Sequence, residues 1–456
     1  MPPACLPLLG GSDPGRVLAW RDGRALGVRE FLAHVQQAAA ALPDGPAAVN
    51  LCVDRYAFTV AFCAAMLRGQ VTLLPASRAA RAVEEVMALH AGAYALGEET
   101  APPALPGYWR LPALVPAPPP ATGDAACPQV PADQVVAIAY TSGSTGSPQP
   151  ASKTWASFHA STAGNLAMLR AAVDGAPAIL ATVPPQHMYG VETSVLLPLL
   201  GGYAVHAGRP FFPADVALAL AQLPAPRILV STPVHLRALV ASGIELPPLA
   251  LLLSATAPLP LDLARAAEAR YAAPLREVFG STETCVFASR RATVDEEWQL
   301  YPGVRLQPQV DGTVVHAPQL AQGVRLADLM AVSADGTRFR LQGRNADLLE
   351  IAGKRASLGD ITQRLLAVPG VCDGVVFQLD THDTLGVQRI AALAVAPGLT
   401  EWAIIETLRQ ALDPVFLPRP LRVVAALPRN ETGKLPRAAL LAALRASATG
   451  RSRPMS

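Results

Sequence analysis

The chain has 456 residues and a mass of 47.6 kDa, room for two or three domains at about 150 residues each. A net charge of +2, with only 16% of residues charged, excludes the strong basic field that nucleic-acid binding requires. The apolar share is 51%, enough for a sizeable core, but charges or prolines interrupt every apolar run before the roughly 18 residues that a membrane span needs.

The N-terminus, Met1-Pro2-Pro3-Ala4-Cys5, lacks a basic segment followed by an apolar stretch, so no secretory signal is expected and a cytoplasmic location is. Apolar side chains at helical spacing predict a helix over residues 27–42, and the run from Ala47 to Val53 reads as a buried strand. Helix returns from Tyr56 to Leu67 and strand from Gln70 to Leu74. This alternation predicts a doubly wound α/β sheet. Ten of the 31 residues from Ala101 to Pro131 are proline, which predicts an extended connector within the large domain. From Val135 the alternation resumes, with a strand to Tyr140, a Gly/Ser/Thr loop, a helix from about Thr154, and strands near Ala178 and at Arg227–Val230. After Gly343 the texture shortens, with strands near Gly374, at Ile390–Val395 and at Leu421, and a helix over 401–412. The expected organisation is a large N-terminal domain over 1–343 and a small α+β domain over 347–456.

The six cysteines lie far apart and form no C-x-x-C pair, and the eight histidines make no zinc-binding grouping, so any metal should arrive with a ligand. The loop from Tyr140 to Pro148, YTSGSTGSP, sets two glycines among hydroxyl side chains directly after a strand, a composition suited to wrapping phosphate oxygens. It is not a Walker A loop, because Lys153 falls seven residues after Gly146. The segment FGSTET from Phe279 to Thr284 joins an aromatic ring, a glycine turn, a hydroxyl and a carboxylate, which can line a purine, touch phosphate and hold Mg2+ through Glu283. Asp328 and, after GRNAD at 343–347 begins, Arg344 can offer a carboxylate and a guanidinium to a ribose diol. Lys434 sits on a glycine turn in RNETGKLPR at 429–437. Each segment alone has a plainer reading: a flexible loop, an ordinary strand turn, a surface ion pair, a solvated lysine.

In this order and spacing the segments resemble the core motifs of the adenylate-forming superfamily of AMP-binding acyl and aryl ligases. The resemblance runs from about residue 47 to 440 and takes in PPQHMYG at 184–190, PLLGG at 198–202 and SATAPL at 254–259. It implies two half-reactions: a carboxylate attacks the α-phosphate of MgATP to give acyl-AMP and pyrophosphate, and a thiol then displaces AMP. Carried onto this chain, Thr141, Ser142, Gly143, Ser144, Thr145 and Gly146 would hold the β- and γ-phosphates. Thr282 would meet the α-phosphate and Glu283 the magnesium. Ser254, Ala255 and Thr256 would form the turn beside the carboxylate substrate, Phe279 and Gly280 would flank the purine, and Asp328 and Arg344 would hold ribose. Lys434 would bridge the carboxylate and α-phosphate, and His187 would stand at the acyl pocket or pack in its wall.

Three positions depart from the family pattern. Gln149 and Pro150 replace the usual loop lysine and glycine, leaving Lys153 to contact phosphate in its place or to lie solvated at a helix start. Leu326-Ala327-Asp328 keeps only the carboxylate of the ribose segment, and Ala346 stands at the hinge, with Asp347 next. The continuation Gln149-Pro150 to Lys153-Thr154-Trp155 and the segment GKRASL from Gly353 resemble the short ligases of aryl-polyene and xanthomonadin-type pigment clusters. That resemblance implies an aromatic acid and the phosphopantetheine thiol of an acyl carrier protein as acceptor. The alternatives are free CoA as acceptor, an acyl-AMP ligase without thiolation, and a non-catalytic nucleotide-binding module.

Overall fold

The computed structural model describes residues 4–11, 13, 15–98, 105, 107–114, 127–142, 148–344, 348–351, 354–382, 388–430 and 433–449. By contact the chain divides into two compact units, Met1–Arg305 with His316–Val324, and Leu306–Val315 with Arg325–Ser456. The strands Asp328–Val332 and Arg338–Arg344, which the motif reading puts in the large domain, thus fall in the second unit. The expected hinge, 345–347, lies outside the described residues.

The first unit carries two large sheets among the described residues. One orders its strands Pro148–Thr154, Val135–Ser142, Val71–Leu74, Ala47–Asn50, Tyr94–Gly97 and Tyr108–Arg110, all parallel except the first pair. Ala47–Asn50 is buried at every position, as a central parallel strand covered on both faces must be. Helix Val28–Ala41 buries Val28, Phe31, Leu32, Val35 and Ala38, the stripe that its spacing predicts. Helix Arg55–Leu67 starts where the Asp54 carboxylate accepts from the Ala57 N–H at 2.8 Å, and it is buried all round from Arg55 to Met66.

The second sheet of this unit orders Trp298–Leu300, Cys285–Arg290, Leu275–Ser281, Leu251–Ser254, Arg227–Ser231, Ala178–Ala181, Ala204–His206, Val17–Arg21 and Arg24–Gly27. From Leu275–Ser281 to Val17–Arg21 the strands are parallel, so Ser281, Ser254, Ser231 and Ala181 all stand at carboxyl ends. In open α/β sheets that edge is where ligands bind. Leucines 229, 252 and 275 pack against helix residues Leu236, Leu263 and Ala267 to form its core.

In the second unit, Asp373–His382 pairs antiparallel with Gln388–Val395, which pairs parallel with Leu421–Val423. One face packs Val376, Ala392 and Leu421 against Ile361, Leu365 and Ile404 of the helices Leu358–Leu366 and Glu401–Ala411. The other packs Phe377 and Leu393 against Leu427 and Leu440. The mixed α/β class holds, with a large sheet-rich part and a smaller C-terminal one. Among the described residues of the proline-rich stretch are two short strands that its composition does not predict: Tyr108–Arg110 pairs with Tyr94–Gly97, and Gln129–Pro131 pairs with Cys5–Pro7.

Candidate active site

Thr141 and Ser142 end a strand that turns back antiparallel into Pro148–Thr154, with Thr141 opposite Gln149 and Tyr140 opposite Pro150. The returning strand lies at the sheet edge, where a proline's missing N–H costs no ladder bond, so Pro148 and Pro150 sit in a strand. Gly143, Ser144, Thr145 and Gly146 lie outside the described residues. Thr154 Oγ1 accepts from the Ser157 N–H at 3.1 Å and caps the helix Trp155–Arg170 where the sequence places its start.

The second motif is a tight turn between Leu275–Ser281 and Cys285–Arg290, closed with Ser281 opposite Cys285. The Thr284 hydroxyl accepts from the Ser281 N–H at 3.0 Å and donates to the Cys285 carbonyl at 2.9 Å. Cys285 adopts φ 60, a left-handed conformation that a non-glycine residue holds only when its surroundings enforce it. At Gly280 a Cβ would stand 2.2 Å from the Cys285 carbonyl oxygen, so only glycine fits so close a strand. Buried side chains from distant segments hold the turn. Lys153 Nζ donates to the Glu283 carbonyl at 2.6 Å, and Gln319 Nε2 donates to the Thr284 carbonyl at 3.0 Å. The Glu192 carboxylate accepts from the Val286 N–H at 3.1 Å. Thr141 Oγ1 stands 3.5 Å from Glu283 Oε1, so the end of the strand that leads into the hydroxyl loop and the acidic turn, these two residues lying 142 positions apart in sequence, meet at the carboxyl ends of the two sheets.

Ser254 ends a central strand fully buried, and its hydroxyl has no hydrogen-bond partner among the described residues. Ala255 follows half-buried, and Thr256 takes a left-handed φ of 79, a second enforced backbone at the same sheet edge. Phe279 is half-buried in an aromatic cluster, its ring centroid 5.5 Å from that of Phe287 and 5.2 Å from that of Trp298. His187 caps the helix Met188–Val191, its Nδ1 accepting from the Tyr189 N–H at 3.3 Å. In the second unit, register places Asp328 opposite Arg344, and Asp328 is buried, which removes the plain surface-pair reading for it. Thr282 lies half-buried in the turn beside Glu283.

The sequence model of the AMP-binding enzyme family, described as "AMP-binding enzyme", matches residues 12–318, more than half of the chain. The chain belongs to this family. A 4-coumarate–CoA ligase of Halorhodospira halophila is 30% identical over 304 residues, covering 65% of this chain and 73% of the relative. A probable 2-succinylbenzoate–CoA ligase of Mycobacterium tuberculosis is 29% identical over 339 residues, covering 68% and 84%. Among solved structures, the O-succinylbenzoate coenzyme A synthetase of Bacillus subtilis in complex with AMP superposes with a TM-score of 0.78 at 17% identity, covering 93% of this chain and 95% of that one. This AMP-binding enzyme is therefore an ATP-dependent acid ligase, and its fold is that of the adenylate-forming enzymes. No helix among the described residues is long and apolar enough to cross a membrane.

Lys153 is 3% exposed, which corrects the reading of a solvated lysine; its recorded contact is a protein carbonyl. The sequence reading missed Glu192, Asn165, Tyr301 and Gln319. Asn165 Nδ2 donates to Glu192 at 3.3 Å, and the Tyr301 hydroxyl donates to Asn165 Oδ1 at 3.1 Å. The available signal was a lone acid in the apolar run from Met188 to Leu200. Burial pushes the Glu192 carboxyl up to about 7, against the opposing pull of the Val286 N–H and the Lys153 ammonium. A carboxyl raised in the fold stabilises it below its unfolded value near 4.5 and loses that contribution as pH rises through about 7. Relative to Glu192→Gln, the wild type should therefore lose thermal stability between pH 4.5 and 7 and hold a constant difference above. Melting curves of both proteins across that window check the sign, and parallel curves would place the titration elsewhere.

Proposed function

We propose that the enzyme activates an aromatic carboxylic acid as its acyl-adenylate and passes the acyl group to a phosphopantetheine thiol. One observation carries the adenylation step: the approach of Thr141 to Glu283 at 3.5 Å, which sets a hydroxyl donor beside a carboxylate where a MgATP triphosphate would lie. A half-buried carboxylate with a hydroxyl oxygen beside it offers the oxygen donors that a hard divalent cation takes. Magnesium held there neutralises developing phosphate charge; the chain's own part is to orient and to donate. Thr282 donates to the α-phosphate, the turn Ser254–Thr256 shapes the carboxylate's seat, and His187 stands at the acyl pocket. Phe279 offers a ring to the purine, Asp328 and Arg344 hold the ribose, and Lys434 supplies the cation for adenylation. The six free thiols accord with a reducing, cytoplasmic setting.

The acyl-CoA ligases among the relatives favour the thiol of CoA as acceptor. The carrier-protein reading rests on the pigment-cluster resemblance of the Gln149 to Trp155 segment. Incubating enzyme, MgATP and aromatic acids with CoA or with a phosphopantetheinylated carrier protein, and measuring each thioester by mass, decides between them. Release of adenylate with no thioester on either acceptor would overturn the transfer step. Glu283→Gln should raise the Mg2+ half-saturation of adenylation by roughly tenfold or more, because an amide keeps the shape and loses the charge. An unchanged titration would return Glu283 to a structural role.

A further inference from the structure

The loop lysine that the family places next to the phosphates is absent here, and Gln149 stands in its position. The nearest following cation, Lys153, points away from that role: it is buried on an edge strand and donates to the backbone carbonyl of Glu283 at 2.6 Å. On the far side of the same turn, Glu192 accepts the Val286 N–H through both carboxylate oxygens at 3.1 Å. Glu192 lies in a π-helical segment, Glu192–Leu196, within the stretch that follows the acyl-pocket motif. Asn165 and Tyr301 continue the network behind it. Cys285, between the two anchored groups, has the left-handed backbone that this clamping has to maintain. A lysine and a glutamate are among the costliest residues to bury, and hydrophobic side chains would fill the space with less penalty. Their value must lie in what they hold.

We propose that Lys153 and Glu192 are positioning residues that clamp the Thr282–Glu283 turn from behind, one by its carbonyl and the other by the Val286 N–H, so that Glu283 and Thr282 meet MgATP in fixed geometry. The proposal rests on the reading that this turn meets MgATP. It assigns Lys153 a role distinct from that of a phosphate ligand, and it ties the acyl-pocket segment to the metal-binding turn through Glu192.

The test compares Lys153→Met, Glu192→Leu, the double variant and Glu283→Gln in acid-dependent pyrophosphate exchange, with melting temperature as the fold check. Misplacing a reacting group by about 1 Å costs on the order of a hundredfold, so each single variant should lose roughly tenfold to a hundredfold in kcat and show a raised Mg2+ half-saturation. The KM for ATP should move by no more than about twofold, as for an interaction realised in the transition state. The double variant, which removes both buried ionisable groups, should melt no lower than the single variants, each of which leaves one of them buried, and should still lack kcat. Lys153→Gln, which keeps a donor, should regain part of the activity and carries the test if Lys153→Met fails to fold. A rise in the ATP KM at unchanged kcat would make Lys153 a phosphate ligand and overturn the proposal, as would wild-type kcat in a folded double variant. If Glu283→Gln alone leaves the Mg2+ response unmoved, the metal reading of Glu283 fails; if Glu283→Gln shifts it and the clamp variants do not, the clamp fails.

Discussion

Lys434→Ala is expected to remove acyl-adenylate formation, by a hundredfold to a thousandfold or more, and to spare thiolysis of supplied acyl-adenylate. Attack of a carboxylate on the α-phosphate brings two anionic groups together and builds charge on the phosphoryl oxygens and the leaving pyrophosphate, and removing one preorganised donor from such a site costs on the order of 10²–10³ in rate. The local fold presents this lysine firmly. Its N–H donates to Asn430 Oδ1 at 2.8 Å, and its carbonyl accepts from the Asn430 N–H at 2.8 Å. Gly433, at φ 79, makes the turn, and Arg429 anchors it, donating to the Gly433 carbonyl at 2.8 Å and to Asp373 at 2.7 Å. Truncation at Cβ leaves those backbone bonds in place, so the loss should be chemical. The measurement is the two half-reactions separately, pyrophosphate exchange and thioester formation from synthetic adenylate. Equal loss of both would mean that Lys434 shapes the fold and does not serve one step.

Gly280→Ala should have the largest effect on the fold of the site. The added methyl carbon would lie 2.2 Å from the Cys285 carbonyl oxygen and 2.7 Å from the Val286 Cα, both backbone atoms that no rotamer change can move. The strand pair has to open at the turn that carries Glu283, and overpacking of this kind costs about 3 kcal/mol at its upper range. A lowered melting temperature is expected, together with a fall in adenylation larger than the stability loss explains, because the turn itself moves. A variant with wild-type melting and wild-type exchange would show that the strands separate freely here and that the turn is not held as described.

The strand-helix alternation was legible because burial on both faces demands near-continuous apolar runs, as at Ala47–Asn50, and because one-sided burial imposes the helical stripe of Val28–Ala41. The hairpin return at Pro148–Thr154 was not legible. Prolines and polar residues argue against a strand unless it is known to lie at an edge, and edge position is a property of the assembled sheet. The motifs around Thr141, Glu283 and Lys434 could be read from residue type and order, but their mutual geometry could not. Lys153 shows the limit most plainly. Its burial depends on a carbonyl 130 residues away and on Glu192, and no local spacing carries that information.

The central claim, that this AMP-binding enzyme forms an acyl-adenylate from an aromatic acid, is tested most directly by ATP–pyrophosphate exchange with a panel of aromatic and fatty acids. The account predicts Mg2+-dependent exchange that requires an aromatic acid, is lost in Lys434→Ala and is weakened in Glu283→Gln. Exchange without added acid, or none with any aromatic acid in a folded, ATP-binding protein, would contradict it.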